Sequence, residues 1–193
     1  EKNGSISKIG TFCFSLSSEE FVEGQNQSFF MRKILLLGVG WLGEQLVNSL
    51  LNDQYVIYVG TSDIGKWGHL ENNVKIMEVN YHSNKPFFSE NLNGTECFDD
   101  VIVMLPPSGF DDYEKVILKI CESFPNINHL IFTSSTGIYQ NTTGIVDEDS
   151  KVDENNMVYR AEQAIKKIFP KRHTILRLSG LVSEDRHPVK YLL

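Results

Sequence analysis

Three glycines constrain this chain more than any other feature. They stand in Gly38-Val39-Gly40-Trp41-Leu42-Gly43, directly after the run Arg32-Lys33-Ile34-Leu35-Leu36-Leu37. A helical pattern follows over 41–52, with Leu42, Leu46, Val47, Leu50 and Leu51 at helix spacing. G-x-G-x-x-G between a strand and a helix predicts a turn built to hold a pyrophosphate. Gly38 permits the tight turn. Gly40 lets the anion approach the backbone with no Cβ in the way. Gly43 lets the helix pack close to the strand. The first N–H groups of the helix, at Trp41 and Leu42, then face the anion with the helix dipole behind them. A turn that merely needs glycine accounts for one or two of these positions less strainedly than for all three.

The rest of the chain alternates between two periods. Strand patterns run over 55–59, 74–79 and 101–105, the last stopped by Pro106-Pro107. A helix is expected over 111–124. Leu130-Ile131-Phe132 reads as a strand that continues into Thr133-Ser134-Ser135, and a helix over 155–169 precedes a strand over 174–178. Strands alternating with helices predict an α/β fold, a doubly wound parallel sheet with helices on both faces. With 193 residues, 41% of them hydrophobic, the chain can bury a real core. Eighteen Lys+Arg against 25 Asp+Glu argue against a nucleic-acid partner. No apolar stretch approaches the roughly 18–20 residues that cross a bilayer, so no membrane role is expected.

Cys13, Cys97 and Cys121 are widely spaced and read as reduced thiols of a cytoplasmic protein. His69, His82, His129, His173 and His187 form no cluster with ligand spacing, so no metal site is expected. The first residue is Glu1 and the first methionine is Met31. Residues 1–30 therefore read as a poorly ordered extension, which Phe12, Phe14, Phe29 and Phe30 could pin in part, and 31–193 as the folded domain.

In a doubly wound sheet the ligand lies beyond the carboxyl ends of the strands. After the second strand stand Thr61, Ser62 and Asp63. Asp63 suits the 2′-hydroxyl of NAD; Thr61 and Ser62, with Lys66, suit the 2′-phosphate of NADP, and both remain open. Asp63 also suits a helix cap. Asn80, after the third strand, reads as an adenine contact or a turn residue. Leu105, Pro106 and Pro107, after the fourth, read as a wall of the cofactor pocket. Thr133, Ser134 and Ser135 offer hydroxyls to a nicotinamide or a substrate carbonyl, or cap a loop. Trp41 either covers the cofactor or packs on the sheet. The acidic stretch Asp147-Glu148-Asp149 with Asp153-Glu154 reads as a solvated loop.

The ordered set of Gly38-x-Gly40-x-x-Gly43, Leu130-Ile131-Phe132-Thr133-Ser134-Ser135-Thr136-Gly137-Ile138-Tyr139, Ala161-Glu162-Gln163 and Leu176-Arg177-Leu178-Ser179-Gly180 resembles the extended short-chain dehydrogenase/reductases. It is most similar to the atypical branch of the NAD-dependent epimerase/dehydratase family, over roughly residues 31–190. The resemblance implies a Rossmann domain carrying NAD or NADP. It also implies oxidoreductase or epimerase chemistry on a sugar nucleotide or a similar hydroxyl or carbonyl substrate. A substrate region would follow, most of it beyond Leu193, approached through a loop containing Arg186.

By the same resemblance Ser135 orients the substrate oxygen and Tyr159 or Tyr139 handles the proton. The family's Tyr and the Lys four residues after it do not match cleanly. Registering on Tyr159 puts Gln163 at the Lys position; registering on Glu162-Gln163 puts Glu154 and Val158 at the pair. Gln163 carries no charge to depress a phenol pKa. Lys166 and Lys167 lie about 11–12 Å along the helix from Tyr159. The alternative is a non-catalytic dinucleotide-binding sensor or regulatory protein. The helices over 111–124 and 155–169 are candidates for a homodimer face.

Overall fold

Winding changes direction once in this molecule, and it does so beside the glycine motif. The computed structural model describes residues 31–51, 55–70, 74–81, 98–140, 144–183 and 186. The expectations for residues 1–30, Cys13, Cys97, His82, His187 and the chain end lie outside the described residues. Strand β1 (Arg32–Leu37) leads into helix α1 (Trp41–Leu50), then β2 (Tyr55–Thr61), a 3-10 segment (Ile64–Leu70) and β3 (Lys75–Glu78). Then come β4 (Asp100–Val103), α2 (Tyr113–Ser123), β5 (His129–Ser135), a 3-10 turn (Thr136–Ile138), α3 (Met157–Ile168) and β6 (His173–Leu178).

The six strands are all parallel, in the order β3-β2-β1-β4-β5-β6. The chain builds outward from β1 to β3, then returns to β4 on the other side of β1. That return makes the β1–β4 gap the switch point, where Leu37 pairs with Val103. The fold is thus the expected α/β Rossmann-like sheet.

Alternation along β1 assigns the two faces. Ile34 and Leu36 point to one side, where α1 covers them with Val47, Leu42 and Leu46, and the 3-10 segment adds Trp67. Leu35 and Leu37 point to the other, into a larger core with Tyr113, Ile117 and Ile120 of α2 and Val158, Ala161 and Ile165 of α3. A central strand buried on both faces has to be apolar at every position, as Ile34 to Leu37 are. Polar caps start the two helices of the larger core. Asp112 accepts the Lys115 N–H at 3.2 Å and Asn156 accepts that of Val158 at 2.9 Å.

β4 stops earlier than its apolar run because Met104 makes the last ladder bond, to Leu37 O at 2.8 Å. Pro106 and Pro107, two residues on, have no N–H to continue it. Cys121 is a free thiol in the core, and burial pushes it up to about 12. It stays protonated and unreactive there. Among the described residues, no helix is long and apolar enough to cross a membrane, and no group of His, Cys, Asp or Glu is placed to hold a metal.

The amino end of the sheet carries a polar cluster away from the glycines. Arg32 binds both oxygens of buried Asp100, at 3.0 and 2.7 Å. His129, the β5 residue paired with Asp100, lies 2.7 Å through Nε2 from Thr174 Oγ1. Burial lowers the His129 pKa below its ordinary value; His173 and Arg32 push the same way and Asp100 opposes. A depressed histidine contributes stability that is complete above about pH 6.5 and is lost as pH falls toward its folded value. Burial raises Asp100, which acts with the opposite sign and at more acid pH. The melting temperature should therefore fall between pH 7.5 and 5.5, and less steeply in His129→Gln. Equal slopes in the two proteins would show that another group sets the dependence.

Candidate functional site

The three glycines do three different jobs in the structure. Gly38 has φ +77°, and a Cβ there would sit 2.6 Å from Leu105 N and 2.7 Å from the Met104 carbonyl carbon. The turn is left-handed and pressed against the backbone that follows β4, so no other residue fits. At Gly43 a Cβ would meet Val39 Cγ1 at 2.8 Å and Met104 Cε at 3.3 Å, which is the close helix-to-sheet packing expected there. At Gly40 a Cβ would meet nothing within 4 Å, and φ is −110°. Neither crowding by the described residues nor a left-handed backbone therefore demands glycine at position 40. The open space beside it adjoins the start of α1, where no side-chain oxygen among the described residues caps the helix. An opening of this kind, at a helix start and a switch point, fits a pyrophosphate.

The strand ends build the rim. Leu105 lies against Gly38, and its carbonyl accepts the hydroxyl of fully buried Tyr113 at 2.7 Å. That bond fixes the backbone from which Pro106 and Pro107 project beside the loop. At the end of β2, Thr61 closes a turn with Asp63: its Oγ1 accepts the Asp63 N–H at 3.1 Å. Ser62 and Asp63 are exposed there, just before the 3-10 segment. Asn80 gives its carbonyl to Lys119 Nζ at 2.8 Å.

Tyr81, which the sequence reading passed over, stands closer to the cradle. Its hydroxyl donates to Gly60 O at 3.3 Å and lies against the Gly38 backbone, and burial raises its pKa. It ties the first glycine to the end of β2. Its position directly after β3 was the available signal.

The three hydroxyls at the end of β5 part company. Thr133 donates to Val103 O at 3.3 Å, toward the β4 end. Ser135 accepts the Gly137 N–H at 3.0 Å and so caps the 3-10 turn, keeping its own proton to give. Ser134, expected at the cofactor, points to α3 instead, and its hydroxyl donates to Glu162 Oε1 at 2.5 Å. Strand alternation is the reason, since it sends neighbouring side chains to opposite faces.

Glu162 is fully buried, and Arg177 of β6 holds both its oxygens, at 3.1 Å through Nε and 2.9 Å through a terminal nitrogen. The other terminal nitrogen of Arg177 donates to the Tyr139 hydroxyl and to Glu148 O, each at 3.0 Å. Its guanidinium also lies 5.3 Å from the Tyr139 ring centre. Glu162, first among its neighbours, holds the Arg177 pKa still higher than usual. Tyr139 is thus fixed by an arginine. The signal in the sequence was a carboxylate on the apolar stripe of α3, with Val158, Ala161 and Ile165, and one cation in the otherwise uncharged strand Thr174-Ile175-Leu176-Arg177-Leu178.

Tyr159, on α3, stands near the same arginine. It lines an open cleft of about 620 Å³ with Lys166, Arg177, Glu148 and Asp153, and no residue of the glycine loop or of β5 contributes to that cleft. Val158, at the Lys position in the second register, is buried in the core. Neither register therefore puts a Tyr/Lys pair on α3. Trp41 is half-exposed at the start of α1, and the guanidinium carbon of Arg186 lies 4.6 Å from its ring centre.

No family model matches the chain. Among curated proteins it is 26% identical to protein YeeZ of Escherichia coli (strain K12), over 83% of this chain and 63% of that protein. It therefore spans less than two thirds of YeeZ. Among solved structures it is similar to UDP-glucuronic acid 4-epimerase from Bacillus cereus in complex with NAD. That match has a TM-score of 0.60 and 18% identity, over 81% of this chain and 60% of the other. UDP-glucose 4-epimerase from Thermotoga maritima, solved with UDP-glucose, gives a TM-score of 0.61 and 17% identity, over 75% of this chain and 54% of that one. At these identities the likeness shows a shared fold.

Proposed function

We propose that this chain is the dinucleotide-binding part of an NAD(P)-dependent oxidoreductase or epimerase-like enzyme acting on a sugar nucleotide or a similar hydroxyl or carbonyl compound. The observation that carries the reading is the opening at Gly40, clear of the described residues at the switch point of a β3-β2-β1-β4-β5-β6 sheet. The NAD complex of the B. cereus epimerase, which shares the fold, supports the choice of ligand.

In this reading the backbone at Gly40, Trp41 and Leu42 cradles the pyrophosphate. Gly38 and Gly43 keep the loop tight. Thr61, Ser62 and Asp63 receive the ribose, with Asn80 at the adenine. Leu105, Pro106, Pro107 and Thr133 wall the nicotinamide end. Nicotinamide, when bound, supplies the hydride acceptor or donor.

Ser135 keeps a proton for a substrate oxygen, and Tyr139, oriented by Arg177, is better placed than Tyr159 to exchange one. Tyr139 follows in the loop that Ser135 caps, whereas Tyr159 stands on α3 at a cleft to which β5 and the glycine loop contribute no residue.

The test is a fluorescence titration of the full chain with NADH and NADPH. Micromolar binding of at least one is expected, and absence of both would sink the reading. With a full-length enzyme and its substrate, Ser135→Ala and Tyr139→Phe should lower turnover and leave nucleotide affinity unchanged, while Tyr159→Phe should do neither.

A further inference from the structure

A second charged group stands at the cradle besides the helix start. Arg186 follows β6, on the far side of the sheet's switch point from β2, yet its side chain reaches back to Trp41. Trp41 is the residue after Gly40 and the first of α1. Arg186 is exposed, its backbone N–H donates to Ser183 Oγ at 3.1 Å, and among the described residues no carboxylate lies within ion-pair distance of it. By the family resemblance an arginine here would serve the substrate. The structure sets its guanidinium over Trp41, the residue that follows Gly40.

Charge counting shows why a cation belongs there. The pyrophosphate of a dinucleotide carries two negative charges. A helix N-terminus offsets only about half of one. In a chain of net charge −7 the surrounding field is unfavourable to an anion. A guanidinium over an indole spends its face on the ring and keeps its edge N–H donors. Those donors form the planar fork that binds two phosphate oxygens at once.

We infer that Arg186, held by Trp41, grips the pyrophosphate of the bound dinucleotide and completes a cradle that the glycine loop begins. The inference rests on the dinucleotide reading above. A diphosphate could also come from a nucleotide sugar; the cofactor is favoured because Trp41 adjoins Gly40.

The experiment measures NADH, NADPH, ADP-ribose and UDP-glucose binding to the full chain and to Arg186→Ala, Arg186→Lys and Trp41→Leu. In Arg186→Ala the affinities for NADH, NADPH and ADP-ribose should fall together, by about 10-fold or more. Arg186→Lys should recover part of the loss, because it restores charge without the fork. Trp41→Leu should weaken binding in the wild-type background and add little to Arg186→Ala.

Loss confined to NADPH would assign Arg186 to a 2′-phosphate, and loss confined to UDP-glucose would assign it to the substrate; either overturns the inference. Unchanged NADH affinity in Arg186→Ala, with binding still abolished by Gly40→Val, overturns it while the dinucleotide reading stands. Failure of the wild-type chain to bind any dinucleotide overturns both.

Discussion

Gly40→Val leaves the protein folded and removes its dinucleotide binding. The two halves of that result come from one observation. A Cβ at position 40 has no heavy atom within 4 Å, and φ is −110°, so a side chain meets neither a clash nor a left-handed backbone. Losing glycine also narrows the unfolded ensemble, which for a compatible Gly→Ala change stabilises by about 0.4–1 kcal/mol. A ψ of −149° just outside the extended region offsets that gain, so the melting temperature should change little.

The space the side chain enters is the space a pyrophosphate needs. Forcing the phosphates outward breaks backbone hydrogen bonds to a charged group, each worth about 1.5–3 kcal/mol. Losing one of these weakens NADH by roughly 10- to 100-fold, and losing two by roughly 100-fold or more. Gly40→Ala should show a smaller loss of the same kind.

Gly38→Ala is the contrast. Its Cβ would strike the backbone of Met104 and Leu105 at 2.7 and 2.6 Å, and φ is +77°. The left-handed residue alone costs about 1–2 kcal/mol, and backbone atoms cannot swing aside. That variant should lose stability and binding together. Wild-type affinity in Gly40→Val would remove the cradle assignment. A melting temperature as low as that of Gly38→Ala would make Gly40 a structural glycine.

What could be read in advance was local. The glycine spacing, the strand and helix periods and the proline stop after β4 all act within one turn or one strand. They put each described strand and α-helix within a few residues of its observed place, and missed the 3-10 segment Ile64–Leu70. The partners that complete the site are distant in sequence. Nothing near Gly38 announces that Leu105 will press against it, or that Tyr81 will reach it. Three adjacent hydroxyls look equivalent on paper, and only the pleat decides that Ser134 serves α3 while Ser135 caps the following turn. Tyr139 and Tyr159 both fitted a proton-transfer role by type. Hydrogen bonding separates them, because Arg177 crosses from β6 to hold the Tyr139 hydroxyl, while Tyr159 lines the open cleft beside that arginine. Arg186 was expected near a substrate by family resemblance, and its stack on Trp41 is a contact between the first helix and the segment after the last strand.

Arg177→Met should be among the most destabilising single changes in the domain. Glu162 has no exposed surface, and Arg177 is its cation, with a side chain 16% exposed. Removing the arginine leaves a buried carboxylate with only Ser134 for company, at a cost of about 3–5 kcal/mol. It also releases Tyr139 and the Glu148 carbonyl, which the same guanidinium ties to α3.

Removing the whole polar set is a different operation. In Ser134→Ala/Glu162→Leu/Arg177→Met no charge and no hydroxyl is left buried without a partner. Replacing a buried ion pair by apolar groups of like volume is often neutral or better. The triple variant should therefore recover most of the stability that the single one loses, read as urea midpoints at constant slope. A loss below about 1 kcal/mol in Arg177→Met would mean that the pair is solvated, as exposed pairs are. A triple variant as unstable as the single one would mean that the loops released from Arg177, rather than the stranded carboxylate, account for the damage. NADH affinity separates this network from the cradle. It should survive in the triple variant, because Ser134, Glu162 and Arg177 bond to one another and to Tyr139 and Glu148, on the α3 face of the sheet, and not to the glycine loop.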